Sequence, residues 1–360
     1  MVGLRQNIGS RVNDSGSPIP RRWPGDSGSV AAMRRLLDEL AALIEQIDFK
    51  IERGTQGALP HLIAENEATT RRIMEGIGTI LDAVDTSGEP PEMVDQVREL
   101  ATTRLVAWSS TSPVFYRVRN TPREDFSNFE VMLLVLENRL GGGDVAAQIL
   151  DHFYLNMVIS SSFRNRLPQI ADLLADEARR RATKGRPVRI LNLHANTGRE
   201  LELLAGKRSF VEVVQITCLD RDPAALRRTR QRLERFTGRI QFIRADARKY
   251  TASRTWPEAP YDIIYTVNLF DQLDDEQTTK LVADCCRGLA PGGVLMFGNY
   301  SPSLPNAERA IMAWLMDFNI RSRPAEEWRQ IFAQTWGDAE CVRFEPEALQ
   351  VSQLVIATRP

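Results

Sequence analysis

Val188-Arg189-Ile190-Leu191-Asn192-Leu193, Ile216-Thr217-Cys218-Leu219-Asp220, Ile240-Gln241-Phe242-Ile243-Arg244-Ala245-Asp246 and Tyr261-Asp262-Ile263-Ile264-Tyr265 are the stretches that decide the fold. Each is a short, largely apolar run, as strands buried on both faces are. They predict strands near 188–193, 212–219, 240–244 and 261–267, with helices near 199–206, 223–236 and 275–289 between and after them. Regular alternation of strand and helix argues for a parallel sheet with helices on both faces. Leu289-Ala290-Pro291-Gly292-Gly293 is a tight turn, since Pro and Gly set its geometry, and it leads into a fifth strand near 293–299. Two helices follow, near 305–319 and 324–335. Strands from Ala339 to Phe344 and from Gln350 to Thr358 then flank the turn at Glu345-Pro346-Glu347.

The expected fold class is α/β: a Rossmann-like, seven-stranded sheet over residues 186–360 with a C-terminal antiparallel hairpin, preceded by an all-helical domain. A dinucleotide-binding dehydrogenase does not predict that hairpin, and no Gly-x-Gly-x-x-Gly follows the first strand. Lys184-Gly185-Arg186-Pro187 marks the boundary with the helical domain, residues 29–185. Helices are expected near 60–84, 91–108, 127–140, 144–159 and 162–183, punctuated by Gly88-Glu89-Pro90-Pro91 and Gly141-Gly142-Gly143-Asp144, where Asp144 is a good helix cap. The first helix opens at Asp26-Ser27-Gly28-Ser29. Its Met33, Leu36, Leu37, Leu40, Leu43, Ile44, Ile47 and Ile51 recur at three- and four-residue steps and share one face. That stripe either packs within its own domain, the plainer reading, or forms a homodimer contact. Residues 1–28 are rich in Gly, Ser, Pro, Asn and Arg and read as a disordered tail.

The bulk numbers bound the partners. The 360 residues suffice for two cores, and a net charge of −1 demands neither nucleic acid nor membrane. No apolar run approaches the ~20 residues of a membrane helix, and no signal-peptide core opens the chain. Cys218, Cys285, Cys286 and Cys341 lack metal-ligand spacing, so they read as free thiols of a cytoplasmic protein.

Open α/β sheets bind ligands beyond the carboxyl ends of their strands. After the first strand come Leu193 and the loop His194-Ala195-Asn196-Thr197-Gly198, where small residues let the backbone approach a ligand. His194 either packs or hydrogen-bonds beside that ligand, or merely tolerates a positive φ angle, as His and Asn do. Asp220, followed by Arg221, ends the second strand, where a carboxylate accepts from ribose hydroxyls. Asp222 precedes Pro223 and reads as a helix cap. Asp246 and Ala247 end the third strand. Asp246 is either an acceptor for a ligand amino group or a cap. Asn268, Leu269 and Phe270 follow the fourth. The run Arg227, Arg228, Arg230, Arg232, Arg235 reads as a solvated helix face.

These strand ends, with the turn after Leu289, resemble class I S-adenosylmethionine-dependent methyltransferases. The stretch Leu269-Phe270-Asp271-Gln272-Leu273, the Pro291-Gly292-Gly293 turn, Gly298-Asn299-Tyr300-Ser301-Pro302 and the region of Arg309, Met312, Trp314 and Arg321-Ser322-Arg323 are similar to the extracellular-factor (3-hydroxypalmitic acid methyl ester biosynthesis) family. Thr111-Ser112-Pro113 to Arg119, Phe126 to Met132 and Phe163-Arg164-Asn165-Arg166 look like the same family's helical lead-in. The chain departs from the family at His194-Ala195-Asn196, where glycines are usual, at Gln272, where a tyrosine is usual, and at Asp125-Phe126-Ser127-Asn128-Phe129.

The resemblance implies S-adenosylmethionine as cofactor, S-adenosylhomocysteine as product, and a small-molecule acceptor methylated on a carboxylate or hydroxyl oxygen in a bacterial metabolite or signal pathway. Under it the first loop meets the methionine carboxylate, Asp220 the ribose and Asp246 the adenine. Tyr116, Arg119, His152, Tyr154 and Arg323 are candidates to hold the acceptor, with His152 the base for an acceptor that needs deprotonation, and the helical domain caps the site. Methylation of nitrogen or carbon, or a degenerate fold that binds cofactor or partner without transfer, stay open as alternatives.

Overall fold

Seven strands form one sheet: β1 Val188–Asn192, β2 Val214–Asp220, β3 Arg239–Arg244, β4 Tyr261–Thr266, β5 Leu289–Tyr300, β6 Val342–Pro346 and β7 Ser352–Thr358. The structure is a computed structural model, and it describes residues 28–53, 59–86, 88, 90–120, 129–183, 185–236, 239–253, 256 and 259–360. The tail expected over 1–28 lies outside the described residues except for Gly28, as does the family-like segment at 125–128. The strand order is β3-β2-β1-β4-β5-β7-β6. The first five strands are parallel and β7 runs antiparallel to both its neighbours. The chain reverses direction of travel across the sheet between β1 and β4, the switch point where ligands of such sheets bind. Strand β5 begins earlier than expected. Leu289 already pairs with Tyr261, and the Pro-Gly-Gly segment is an irregularity within the strand before Val294 pairs with Ile263.

The helices before the sheet are α1 Gly28–Glu52, α2 Leu59–Glu65, α3 Glu67–Thr86, α4 Pro91–Ala101, α5 Ala107–Ser109, α6 Pro113–Asn120, α7 Phe129–Glu137, α8 Val145–Leu155 and α9 Val158–Arg181. A π-helical turn, Thr102–Val106, joins α4 to α5. Those of the second half are α10 Arg199–Leu204, α11 Arg208–Val211, α12 Pro223–Arg232, α13 Ala247–Ala252, α14 Asp275–Gly288, α15 Asn306–Met316 and α16 Ala325–Trp336. Among the short helices that escape a periodicity reading, none long enough to show a face, are α6 and α13. Both start on a side-chain acceptor: Phe115 N donates to Ser112 Oγ, and Arg248 N to Asp246 Oδ1. The helix expected over 60–84 breaks at Asn66, whose side-chain amide donates to Leu62 O and closes α2.

The apolar stripe of α1 is used within the chain. Met33, Leu37, Leu40, Leu43 and Ile47 are buried, with α3, α4 and α8 packed on the helix. Helix α15 comes from the second half of the sequence but packs on α3. A Cβ on Gly78 would sit 2.5 Å from Ala307 O, so only glycine allows that crossing. Glu308 then caps α9: its carboxylate accepts from Val158 N at 2.8 Å and Ile159 N at 2.9 Å, a favourable place for negative charge. One core therefore runs from the N-terminal helices through one sheet face to α15. The other face buries Phe270, Phe297, Trp328, Phe332 and Trp336 beneath α14 and α16.

Candidate functional site

The loop after β1 owes its shape to two residues with positive φ, Asn196 at 43° and Gly198 at 60°. Asn tolerates that region, and Gly198 is further required because a Cβ there would lie 2.5 Å from Thr229 Cγ2. Ala195 N donates to Leu219 O at 2.7 Å, and Thr229 Oγ1 to Asn196 O at 2.8 Å, so the loop is tied to β2 and α12. Of the two readings of His194, the positive-φ one does not hold: Asn196 takes that conformation. The His194 side chain, 12% exposed, brings Nε2 to 3.6 Å from Asp220 Oδ2.

Asp220 is buried at the end of β2. Its Oδ2 accepts from Asn196 N and its Oδ1 from Asp222 N, each at 2.9 Å. A carboxylate offers about four lone-pair sites, so acceptor capacity remains after both backbone bonds. Asp222 caps α12, accepting from Ala224 N at 2.7 Å. Asp246 caps α13 and is also held by Arg248, whose Nη2 donates to Oδ2 at 2.9 Å and Nε to Oδ1 at 3.2 Å. Arg221 Nε stands 3.7 Å from the same carboxylate. Burial pushes the Asp246 pKa up, but Arg248 and Arg221 outweigh it and hold the carboxyl below its ordinary value. Ala247 is buried in the first turn of α13.

Beyond β4, Asn268 is buried and its Nδ2 approaches Met132 Sδ at 3.6 Å, so α7 covers this strand end. Its Oδ1 is buried and has no hydrogen-bond partner among the described residues. Leu193 and Leu269 are buried on the same carboxyl edge. Phe270 sits in a 3₁₀ turn, Phe270–Gln272, with its ring stacked on Phe297 at 3.9 Å in the core. Its side chain therefore packs the sheet.

The five residues expected to handle an acceptor do not form one constellation. Tyr116 on α6 is 60% exposed. Arg119 Nη1 donates to Leu315 O on α15 at 3.3 Å. His152 on α8 faces Glu67 at 3.4 Å and Asn156 in its own helical turn. Tyr154 is buried edge-on against Phe115, and burial pushes its phenol well above the ordinary value. Arg323 is buried, donating to Leu273 O and Asp275 Oδ1 at 2.8 Å, so it braces the turn after β4.

A network that sequence reasoning missed lies under the first loop. Asn192 Nδ2 donates to Glu200 Oε1 at 3.1 Å and to the Tyr265 hydroxyl at 2.8 Å, and that hydroxyl donates to Glu200 Oε1 at 2.9 Å. Asn192 Oδ1 accepts from His194 N at 3.1 Å, which carries the network into the loop. Burial pushes the Glu200 carboxyl up to about 7, against the hydrogen bonds from Tyr265 and Asn192. The signal available in the sequence was three polar residues at core positions of β1, α10 and β4. Beside the loop, a cleft of about 460 Å³ separates α7 from α12, with Phe129 and Leu133 on one wall and Thr197, Arg228 and Arg232 on the other. Among the described residues no cluster of His, Cys, Asp and Glu could hold a metal ion, and no helix is long and apolar enough to cross a membrane.

Residues 190–293 match the methyltransferase domain family. They span β1 to the first part of β5 and so contain the whole loop, Asp220, Asp246 and Asn268. No curated protein matches the chain. Among solved structures it is similar to a possible exported protein from Bordetella parapertussis, with 18% identity and a TM-score of 0.55, over 83% of this chain and 97% of that one. It is also similar to the N-methyltransferase NodS of Bradyrhizobium japonicum in complex with S-adenosylhomocysteine (18% identity, TM-score 0.38, 55% of this chain and 88% of that one). A third is the magnesium protoporphyrin IX methyltransferase of Synechocystis with bound S-adenosylmethionine (11% identity, TM-score 0.43, 69% and 97%). The sheet is Rossmann-like, with an antiparallel seventh strand and a helical region before it, and the stretch that matches the methyltransferase domain family lies within it.

Proposed function

We propose that this chain is an S-adenosylmethionine-dependent methyltransferase that acts on a carboxylate or hydroxyl oxygen of a small-molecule acceptor. The observation that carries the reading is Asp220. It stands at the end of β2, beside the switch point, inside the residues that match the methyltransferase domain, and two backbone N–H groups hold it with acceptor capacity left over. The residues fit the cofactor. Ribose offers two hydroxyl donors to Asp220, and the buried Asn268 Oδ1, which has no hydrogen-bond partner among the described residues, would accept from a ligand N–H or O–H. The cofactor would supply a methyl group already activated on a sulfonium.

The chain's own part is then to bind, orient and exclude water. Orientation alone can contribute roughly 7–11 kcal/mol of a barrier. Asp220 and the 194–198 loop would set the cofactor's height, and Met132 of α7 would close the edge at Asn268. A carboxylate acceptor is ionised at neutral pH and needs no general base, which suits a helical layer whose His152 is turned toward Glu67. The free state of all four cysteines is in keeping with action in the cytoplasm.

The test is calorimetric titration of the purified protein with S-adenosylmethionine and S-adenosylhomocysteine. Micromolar binding is expected. A folded protein that binds neither would overturn the reading. With binding in hand, incubation with labelled cofactor and a panel of carboxylic acids and alcohols reads out the accepting oxygen as methyl ester or methyl ether.

A further inference from the structure

Phe163-Arg164-Asn165-Arg166 on α9 takes no part in the site as described, yet its three polar side chains all leave the helix to hold other elements. Arg164 Nη1 donates to Val135 O on α7 at 3.1 Å and to Leu155 O at the end of α8 at 2.8 Å. A cation at carbonyls of two helix C-termini satisfies groups that have no intrahelical donor. Asn165 Nδ2 donates to Glu347 Oε2 at 2.9 Å, between β6 and β7. Arg166 is wholly buried. Its Nη1 donates to Asp271 Oδ2 at 2.7 Å, its Nε to Ser352 Oγ at 3.0 Å, and its guanidinium lies 3.8 Å from the centre of the Tyr300 ring. Room for Arg166 is built into the sheet: a Cβ on Gly298 would lie 2.9 Å from Arg166 Cδ and 2.5 Å from Val267 O.

Asp271 is the centre of the second contact. Its Oδ1 accepts from Asn299 Nδ2 at 3.0 Å and Tyr300 N at 2.9 Å, while Arg321 N donates to its backbone oxygen at 2.8 Å. It lies three residues beyond Asn268, in the turn that closes β4. Arg164, two residues before Arg166, grips the helix whose Met132 meets Asn268. Two arginines of one helix thus hold α7, which contacts Asn268, and the turn that follows Asn268.

We propose that Arg164 and Arg166 are positioning residues: a clamp on α9 that sets the separation between α7 and the 268–273 turn, and with it the geometry of the cofactor edge. The inference rests on the methyltransferase reading for its ligand. An apolar pair would fill the same space. A buried ion pair with directional hydrogen bonds also sets orientation, which here is the orientation of the turn that bears Asn268.

The experiment compares full-length wild type with Arg164→Met and with the double variant Arg166→Met/Asp271→Asn, which removes the ion pair without leaving a lone buried charge. Asp271→Asn alone, which strands Arg166, is the destabilised control. Amide hydrogen exchange is read at 129–137 and 268–273, and S-adenosylhomocysteine affinity by calorimetry. Arg164→Met should speed exchange in 129–137 alone and the double variant in 268–273 alone, each weakening S-adenosylhomocysteine about tenfold, within the range for couplings carried through a packed network. The double variant should regain the thermal stability lost in Asp271→Asn but not its affinity. Recovery of affinity together with stability would overturn the proposal, as would wild-type affinity in both variants. If wild type itself ignores S-adenosylhomocysteine, the methyltransferase reading falls, and the exchange pattern decides the clamp by itself.

Discussion

Asp220 and Asp246 close neighbouring parallel strands on the same edge of the sheet, and the chain surrounds them differently. Backbone N–H groups of Asn196 and Asp222 meet Asp220, with His194 nearby. The guanidinium of Arg248 meets Asp246, with Arg221 behind it and α13 starting on it. A peptide N–H satisfies one lone pair and leaves the charge in place. A guanidinium occupies the carboxylate and neutralises it. The same position in the fold therefore yields a carboxylate with capacity for ligand hydroxyls at β2 and a helix cap with its own counter-ion at β3. Position nominates a residue for a role, and the donors around it decide.

The largest effect expected from that difference is on cofactor affinity. Asp220→Ala removes two hydrogen bonds to a charged group, worth about 4 kcal/mol together. S-Adenosylhomocysteine should then bind about 1,000-fold more weakly. Calorimetry measures the loss, and circular dichroism checks that the sheet is retained. An affinity within tenfold of wild type would mean that the ribose does not meet Asp220.

Glu200 sharpens the contrast from the enclosed extreme, since side chains alone reach it and burial holds its pKa at about 7 against an ordinary 4.5. Because the folded pKa is raised, its contribution to stability is complete below pH 4.5 and is lost as pH climbs through 7. The lost amount is on the order of 3 kcal/mol. Glu200→Gln keeps an acceptor for Asn192 and Tyr265 but cannot ionise. The stability difference between variant and wild type, from urea unfolding at pH 5 and pH 8, should shift by that amount in favour of the variant at the higher pH. Parallel pH profiles would show that Glu200 does not change its charge in the fold. Arg232 on α12 and Tyr265 and Cys218 on the adjacent strands are ionisable neighbours of Glu200.

How much of this was legible follows from where each signal resides. The strands were, because β1, β2 and β4 are buried and read as largely apolar runs, and so were the places of Asp220, Asp222 and Asp144, which at strand or helix ends are local. The lid was not. Met132 and Asn268 are 136 residues apart and nothing local announces their contact. Tyr154 presents a hydroxyl in the sequence, but Leu150 and Tyr154 lie four apart on the buried face of α8, which marks it as core. Asn192, Glu200 and Tyr265 satisfy one another only in three dimensions. Arg166 sits among the polar residues of α9, and its burial becomes visible only with the strand that crosses it, at Gly298.

The smallest expected effect is the other half of the opening comparison. Asp246→Ala removes an N-cap, worth about 1 kcal/mol of stability. The pairs with Arg248 and Arg221 add little, since both guanidinium groups are close to a third exposed. Thermal unfolding should register that loss, while S-adenosylhomocysteine affinity stays within ~3-fold of wild type, the scale of one solvent-screened contact. Ordering by affinity is the sharper test, since Asp220→Ala and Asp246→Ala differ by one carboxylate on the same edge. If Asp246→Ala matched Asp220→Ala in lost affinity, the ligand would have to displace Arg248 and claim the cap for adenine. The two strand ends would then be equivalent once the cofactor is bound, and the distinction between backbone and guanidinium donors would describe only the free protein.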